Sequence, residues 1–111
     1  MIFAEFYGPS SLFADTLSTI EERIAAVMHA RREDVVVRRI EAESDYSGTE
    51  IWIELSSEEQ LARHAAELSQ QVTAAVRLKI DTDVWVLFRI VPLNYVYLNG
   101  QPRRRGLAGL E

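Results

Sequence analysis

The 111-residue sequence contains no cysteine, which removes disulfides and thiolate chemistry from any account of it. Its two histidines, His29 and His64, are isolated from each other, and no structural metal site is expected. Positive charge is in the minority, with 12 Lys and Arg against 17 Asp and Glu, a formal charge of −5. General nucleic-acid binders neutralise phosphates with basic residues, so nucleic acid is not an expected partner. Apolar runs are only a few residues long, far below the roughly 20 of a membrane helix, so no membrane partner is expected. The opening MIFAEFYGPSS carries an acid and no basic n-region, which does not read as a signal peptide; the expected location is cytoplasmic. What is present is an ordinary apolar share, 48%, in a chain of one-domain length.

Ile2 to Tyr7 is a β-rich run stopped by Gly8-Pro9. Ser10 and Ser11 are good N-caps, and Phe13, Leu17, Ile20, Ile24, Val27 and Met28 recur with the spacing of one helix face. Asp34 to Ile40 is a β-branched strand, followed by a loop over Glu41 to Gly48. The order then repeats. Ile51 to Leu55 is a strand, and Ser56-Ser57-Glu58-Glu59 offers a capping box. Leu61, Ala65, Leu68, Val72 and Ala75 line a second helix, and Val84 to Val91 is a strand stopped by Pro92. By periodicity, His29 and His64 fall on solvated helix faces.

The two halves also correspond in register. Ala25-Ala26-Val27 precedes Asp34-Val35 as Ala74-Ala75-Val76 precedes Asp83-Val84, each 49 positions on (76 − 27 and 83 − 34). Tandem βαβ repeats follow, about 1–48 and 49–100, within a domain of residues 1–102 and a tail of 103–111. Crossover helices of this length join parallel strands. The expected fold is α/β (α+β): a four-stranded mixed sheet, two helices on one face, and a short C-terminal strand. Val84, Val86 and Phe88 oppose Trp85 and Leu87, Val35 and Val37 oppose Val36, and Ile51, Ile53 and Leu55 oppose Trp52. Two helices cover only one face, so the apolar residues on the other predict an oligomer.

Three segments resemble the tautomerase superfamily, which includes 4-oxalocrotonate tautomerase, malonate semialdehyde decarboxylase and macrophage migration inhibitory factor. They are the Asp34 to Ile40 strand after its amphipathic helix, Ser57-Glu58-Glu59-Gln60 opening the second helix, and a closing pattern. That pattern is Asp83-Val84-Trp85-Val86, then Pro92, Asn94-Tyr95, Tyr97 and Asn99-Gly100. The resemblance covers roughly residues 1–100. It implies a tautomerase/MIF-like fold, a homotrimer in which the short Tyr95 to Leu98 strand reaches a neighbour, and no cofactor. A ferredoxin-like monomer shares the βαββαβ order but leaves the two-sided strands unexplained.

The family resemblance also implies chemistry: a proton moved on a small keto or enol carboxylate by the amine of an N-terminal proline. Here Met1-Ile2 stands in that place, and no proline precedes Pro9. Methionine removal requires a small second residue, so Met1 is expected to remain. Its primary amine is then the candidate catalytic group, with an ordinary α-amine pKa near ~7.7–8.0 that burial lowers. The alternative is a non-catalytic oligomer that binds a ligand or serves a structural role. The resemblance also implies an arginine that binds the substrate carboxylate through its planar fork. On the strand after the first helix it aligns with Arg38, or one residue out of register with Arg39, and alternation lets at most one of the two face a given pocket. Tyr95 and Tyr97 fall where the family's aromatics line the pocket mouth. Asp34 matches an acid of the decarboxylase-like members, although Asp83 holds the equivalent place in the second repeat and points to a turn-capping role. Glu54, Leu55 and Ser56 stand where those members carry arginines, which disfavours decarboxylation. Arg103-Arg104-Arg105 reads as a frayed tail, with an anion or a neighbouring acidic patch as the alternative partner.

Overall fold

A computed structural model describes residues 1–8 and 14–103. The N-cap serines Ser10 and Ser11, Phe13, and Arg104-Arg105 lie outside the described residues. Strand β1 spans Ile2–Tyr7, helix α1 Ala14–Met28, β2 Val35–Ile40 and β3 Thr49–Leu55. Helix α2 spans Glu58–Arg77 and β4 Val84–Ile90, followed by two-residue strands β5, Tyr97–Leu98, and β6, Gln101–Pro102. The sheet order is β2-β1-β3-β4, with β1 parallel to β2, β3 parallel to β4, and β1 antiparallel to β3. This is the expected pair of βαβ units joined into one mixed sheet. The 49-residue offset marks the strand starts themselves, since β2 begins at Val35 and β4 at Val84. No helix among the described residues is long and apolar enough to cross a membrane.

Alternation decides which side chains meet the helices. Ile2, Ala4 and Phe6 of β1, Val35 and Val37 of β2, and Ile51, Ile53 and Leu55 of β3 are buried. They pack with Ile20, Ile24, Ala25 and Val27 of α1 and with Leu68, Val72, Ala75 and Val76 of α2. Leu17, Met28 and Leu61, expected on the same stripes, are partly buried against this core. His29 is exposed just beyond α1 with φ 53°, a left-handed conformation that ends the helix, whereas His64 is half-buried. The uncovered face carries Phe3, Glu5 and Tyr7, then Val36, Arg38 and Ile40, then Glu50, Trp52 and Glu54, and lastly Trp85, Leu87 and Arg89. It is therefore apolar and charged in alternation rather than uniformly apolar. The Arg89 guanidinium bonds Glu5 at 2.6 Å and lies 4.3 Å from the Trp52 ring, and Arg38 lies 5.3 Å over Phe3.

The start of α2 differs from the expected capping box by one residue. Ser57 is the N-cap, and its hydroxyl accepts from the Gln60 backbone N–H at 3.1 Å. The Gln60 side-chain oxygen accepts from the Ser56 N–H at 2.9 Å and the Ser56 hydroxyl at 2.8 Å. The Gln60 N–H, which the first turn would leave unpaired, is thereby satisfied, as is the Ser56 N–H just before the N-cap. Ser57→Ala is expected to cost about 1 kcal/mol of stability, read as a lowered denaturant midpoint with an unchanged slope.

Candidate functional site

The topology collects four chain segments at one end of the sheet. Because β1 is parallel to β2, Met1 stands beside Asp34, which immediately precedes Val35, the partner of Ile2. Because β1 is antiparallel to β3, Met1 also lies near Leu55 and Ser56, where β3 ends. Strand β4 ends there too: the Val91 N–H donates to the Leu55 carbonyl at 2.8 Å, and Pro92 then stops the ladder.

Beyond Pro92 the chain turns back over this end. Leu93–Tyr95 forms a 3-10 turn, so the expected Tyr95 to Leu98 strand begins only at Tyr97. Asn99 and Gly100 have φ of 53° and 78°, the paired left-handed residues of a two-residue hairpin. Tyr97 faces Pro102 and Leu98 faces Gln101 across it. The Arg103 N–H donates to the Val96 carbonyl at 2.8 Å, which brings Arg103 back to the end of the sheet.

These pieces enclose a cavity of about 330 Å³, lined by Met1, Phe3, Met28, Leu55, Ser56, Gln60, Val91, Leu93, Tyr95, Tyr97 and Arg103, with Glu54 also on its wall. Met1, Tyr95 and Tyr97 of the one chain all line this cavity, whereas the sequence expectation has the Tyr95 to Leu98 segment reaching a neighbour. Tyr95, Tyr97 and Leu98 remain largely exposed in the single chain. Arg103, which the sequence assigns to the tail, is a lining residue of this cavity. The signal was Asn99-Gly100: folding 97–98 onto 101–102 sets residue 103 opposite 96.

Arg38 and Arg39 sit elsewhere in the chain. Arg38 is opposite Glu5, four residues along β1 from Met1, about 13 Å at the usual strand rise. Arg39 points to the helix side, opposite Phe6, and pairs with Glu41 at 3.0 Å. Neither lines the Met1 cavity.

Asp34 is buried at the foot of β2, in the 3-10 turn Arg32–Asp34, where its carboxylate takes two bonds from Arg31, at 2.9 and 3.3 Å. The Arg31 hydrogen bond chiefly holds its pKa below the usual carboxylate range. Burial opposes this, and the charges of Arg31, the Met1 amine and Arg103 add to the lowering. Asp34 is therefore an ionised group within electrostatic reach of the cavity's two cationic groups, committed to Arg31 rather than able to donate a proton. Its counterpart Asp83 is exposed and contributes its backbone carbonyl, which accepts from Thr49 N–H at 3.0 Å. The reason for the difference lies three residues earlier, where Arg31 corresponds to Ile80 and no cation is available. Since the folded pKa of Asp34 lies below the unfolded value near ~3.9, its contribution to stability is present above that pH and lost as the pH falls through the lowered pKa. Asp34→Asn is expected to flatten the acid limb of the pH–stability profile, measured by chemical denaturation across that range.

No protein-family profile matches the chain, and no curated protein matches it in sequence. Solved structures do. A macrophage migration inhibitory factor-like protein from Entamoeba histolytica is similar over 92% of this chain and 98% of its own, with TM-score 0.76 and 10% identity. A domain of unknown function from Sebaldella termitidis is similar over 93% of this chain and 100% of its own, with TM-score 0.75 and 13% identity. A fused 4-OT, solved as an asymmetric trimer, is similar over 90% of this chain and 94% of its own, with TM-score 0.66 and 16% identity. The chain is built on the tautomerase/macrophage migration inhibitory factor fold.

Proposed function

We propose that the protein is a homotrimer of tautomerase-like subunits that binds a small keto or enol carboxylate in the Met1 cavity. Its keto–enol tautomerase activity is weak or absent, because a primary amine stands where the related enzymes carry proline. The observation that carries this reading is the cavity itself, around which Met1, Tyr95, Tyr97 and Arg103 stand, with the charges of the Met1 amine and Arg103 both felt at neighbouring Asp34. An apolar lining with a few convergent polar groups is the usual form of a small-molecule site. In the catalytic arm, the Met1 amine takes or gives the proton at carbon, Arg103 holds the carboxylate, and the tyrosines close the mouth. The non-catalytic reading, a ligand-binding oligomer, uses the same lining and needs no proton transfer at Met1.

Self-association is supported by what one chain leaves uncovered. Strand β4 is an edge strand of mostly apolar residues with no β partner beyond it among the described residues, and Trp85 on it is 58% exposed. Such edges are covered in stable proteins. The C-terminal hairpin adds exposed Tyr95, Tyr97 and Leu98.

The test is ketonisation of phenylenolpyruvate before and after acetylation of the amino terminus, with the mass in solution measured by light scattering. The expected results are three times the chain mass and slow turnover that acetylation abolishes. Turnover unchanged by acetylation contradicts the Met1 role, and a monomer contradicts the trimer. Saturable binding of the ketonised acid without turnover assigns the cavity to binding alone.

A further inference from the structure

At the end of the sheet opposite Met1, the uncovered face holds a second constellation. Glu50 of β3 lies between Tyr7 of β1 and Trp85 of β4 in the strand register. The loop from β2 to β3 folds back over this point, so that the Trp85 indole N–H donates to the Tyr46 hydroxyl at 2.6 Å. Gly48 makes the fold-back possible, because a Cβ there would overlap the Tyr46 ring. Between the loop and the sheet is a cavity of about 370 Å³ whose walls include Tyr7, Ile40, Tyr46 and Glu50.

The charge in this region has one sign. Positions 41–50 contain Glu41, Glu43, Asp45 and Glu50 and no Lys or Arg. Glu41 is paired with Arg39, on the other side of the sheet. The cations of the uncovered face are committed to other partners, Arg89 to Glu5, the Trp52 ring and the Tyr7 hydroxyl at the edge of this region, and Arg38 over Phe3. The Glu50 side chain is half-buried and, among the described residues, forms no hydrogen bond or ion pair. A partly desolvated carboxylate lacking a counter-charge, set among aromatic rings, is the arrangement that recognises an organic cation. The ring faces attract the positive charge, and they do so more strongly as water is excluded.

We propose that this second cavity binds a small alkylammonium ion, with Glu50 as its counter-charge and the Tyr7 and Tyr46 rings as walls. The site is independent of the Met1 cavity and of the reaction proposed there. The loop supplies one wall and the sheet the other, so the Trp85–Tyr46 bond and Gly48 act as the positioning elements.

The probe is choline, titrated into the full chain in its solution oligomer and compared with choline's uncharged tert-butyl analogue. Binding is followed by calorimetry and by tryptophan fluorescence, since Trp85 adjoins the site. Saturable choline binding is expected, with the uncharged analogue and the Glu50→Gln variant each weaker by at least about tenfold. Gly48→Ala, which displaces Tyr46, is expected to weaken choline and leave carboxylate binding at the Met1 cavity unchanged. Equal binding of the uncharged analogue, full affinity in Glu50→Gln, or no saturable choline binding overturns the proposal. A Glu50→Gln variant of altered oligomeric mass, from a parent that does not bind choline, also overturns it and assigns the carboxylate to a contact between copies.

Discussion

Phe6→Ala is expected to destabilise the protein by about 3–5 kcal/mol, a large share of the roughly 5–15 kcal/mol that holds a small domain together. Phe6 is fully buried on β1, an interior strand, opposite Ile51 on β3 and Arg39 on β2. Its ring also occupies the space that a side chain at Gly8 would need: a Cβ there would come within 2.9 Å of it. Removing the ring therefore leaves a cavity between the two βαβ units, where neither repeat can close it by a local shift. For a chain of this size the loss corresponds to a fall in melting temperature of about 15–30 °C. The measurement is thermal unfolding at fixed protein concentration, because an oligomer's apparent stability depends on concentration. A loss under about 1 kcal/mol would mean that the sheet and helices do not meet at Phe6.

Arg103→Ala is expected to weaken binding of a small keto or enol carboxylate by about tenfold to a hundredfold, the range of a charge-assisted hydrogen bond. Arg103 lines the Met1 cavity, and what holds it there is backbone geometry: the hairpin turn at Asn99-Gly100 and the Arg103 N–H to Val96 bond. The substitution leaves that backbone bond in place, so folding stability should change little while affinity falls. Arg103→Lys keeps the charge but not the planar fork, and an intermediate affinity is expected. Arg38→Ala provides the contrast, since Arg38 does not line the cavity of its own chain. If Arg38→Ala lowers affinity and Arg103→Ala does not, the carboxylate is held by a neighbour's strand rather than by the hairpin.

The difference between Arg103 and Arg38 shows where sequence reading stops. Strand β1 was legible to the residue, because Gly8-Pro9 ends an alternating run that buries Ile2, Ala4 and Phe6. The starts of β2 and β4 were legible because two copies of one pattern place them 49 residues apart. Cap chemistry located the start of α2 to within one residue, since adjacent serines offer the same hydroxyl and only geometry selects Ser57. The site was less legible, because its members meet through strand register and a turn, not through spacing. Asp34 and Asp83 look equivalent in sequence, yet a cation three residues upstream makes one a buried ion-pair member and leaves the other exposed. The Tyr46–Trp85 bond joins residues far apart in the chain, and no local pattern announces it.

The central claim is that the cavity beside Met1 is a carboxylate-binding site, and the chain offers a direct probe of it. Its two methionines, Met1 and Met28, both line that cavity. Protein labelled with carbon-13 at the methionine methyls therefore gives two resonances, and both report on the site. On titration with phenylpyruvate, both are expected to shift together and saturate, with a common affinity that Arg103→Ala weakens. Methyl resonances that stay in place at saturating acid, or that respond equally to an uncharged analogue, would contradict the account.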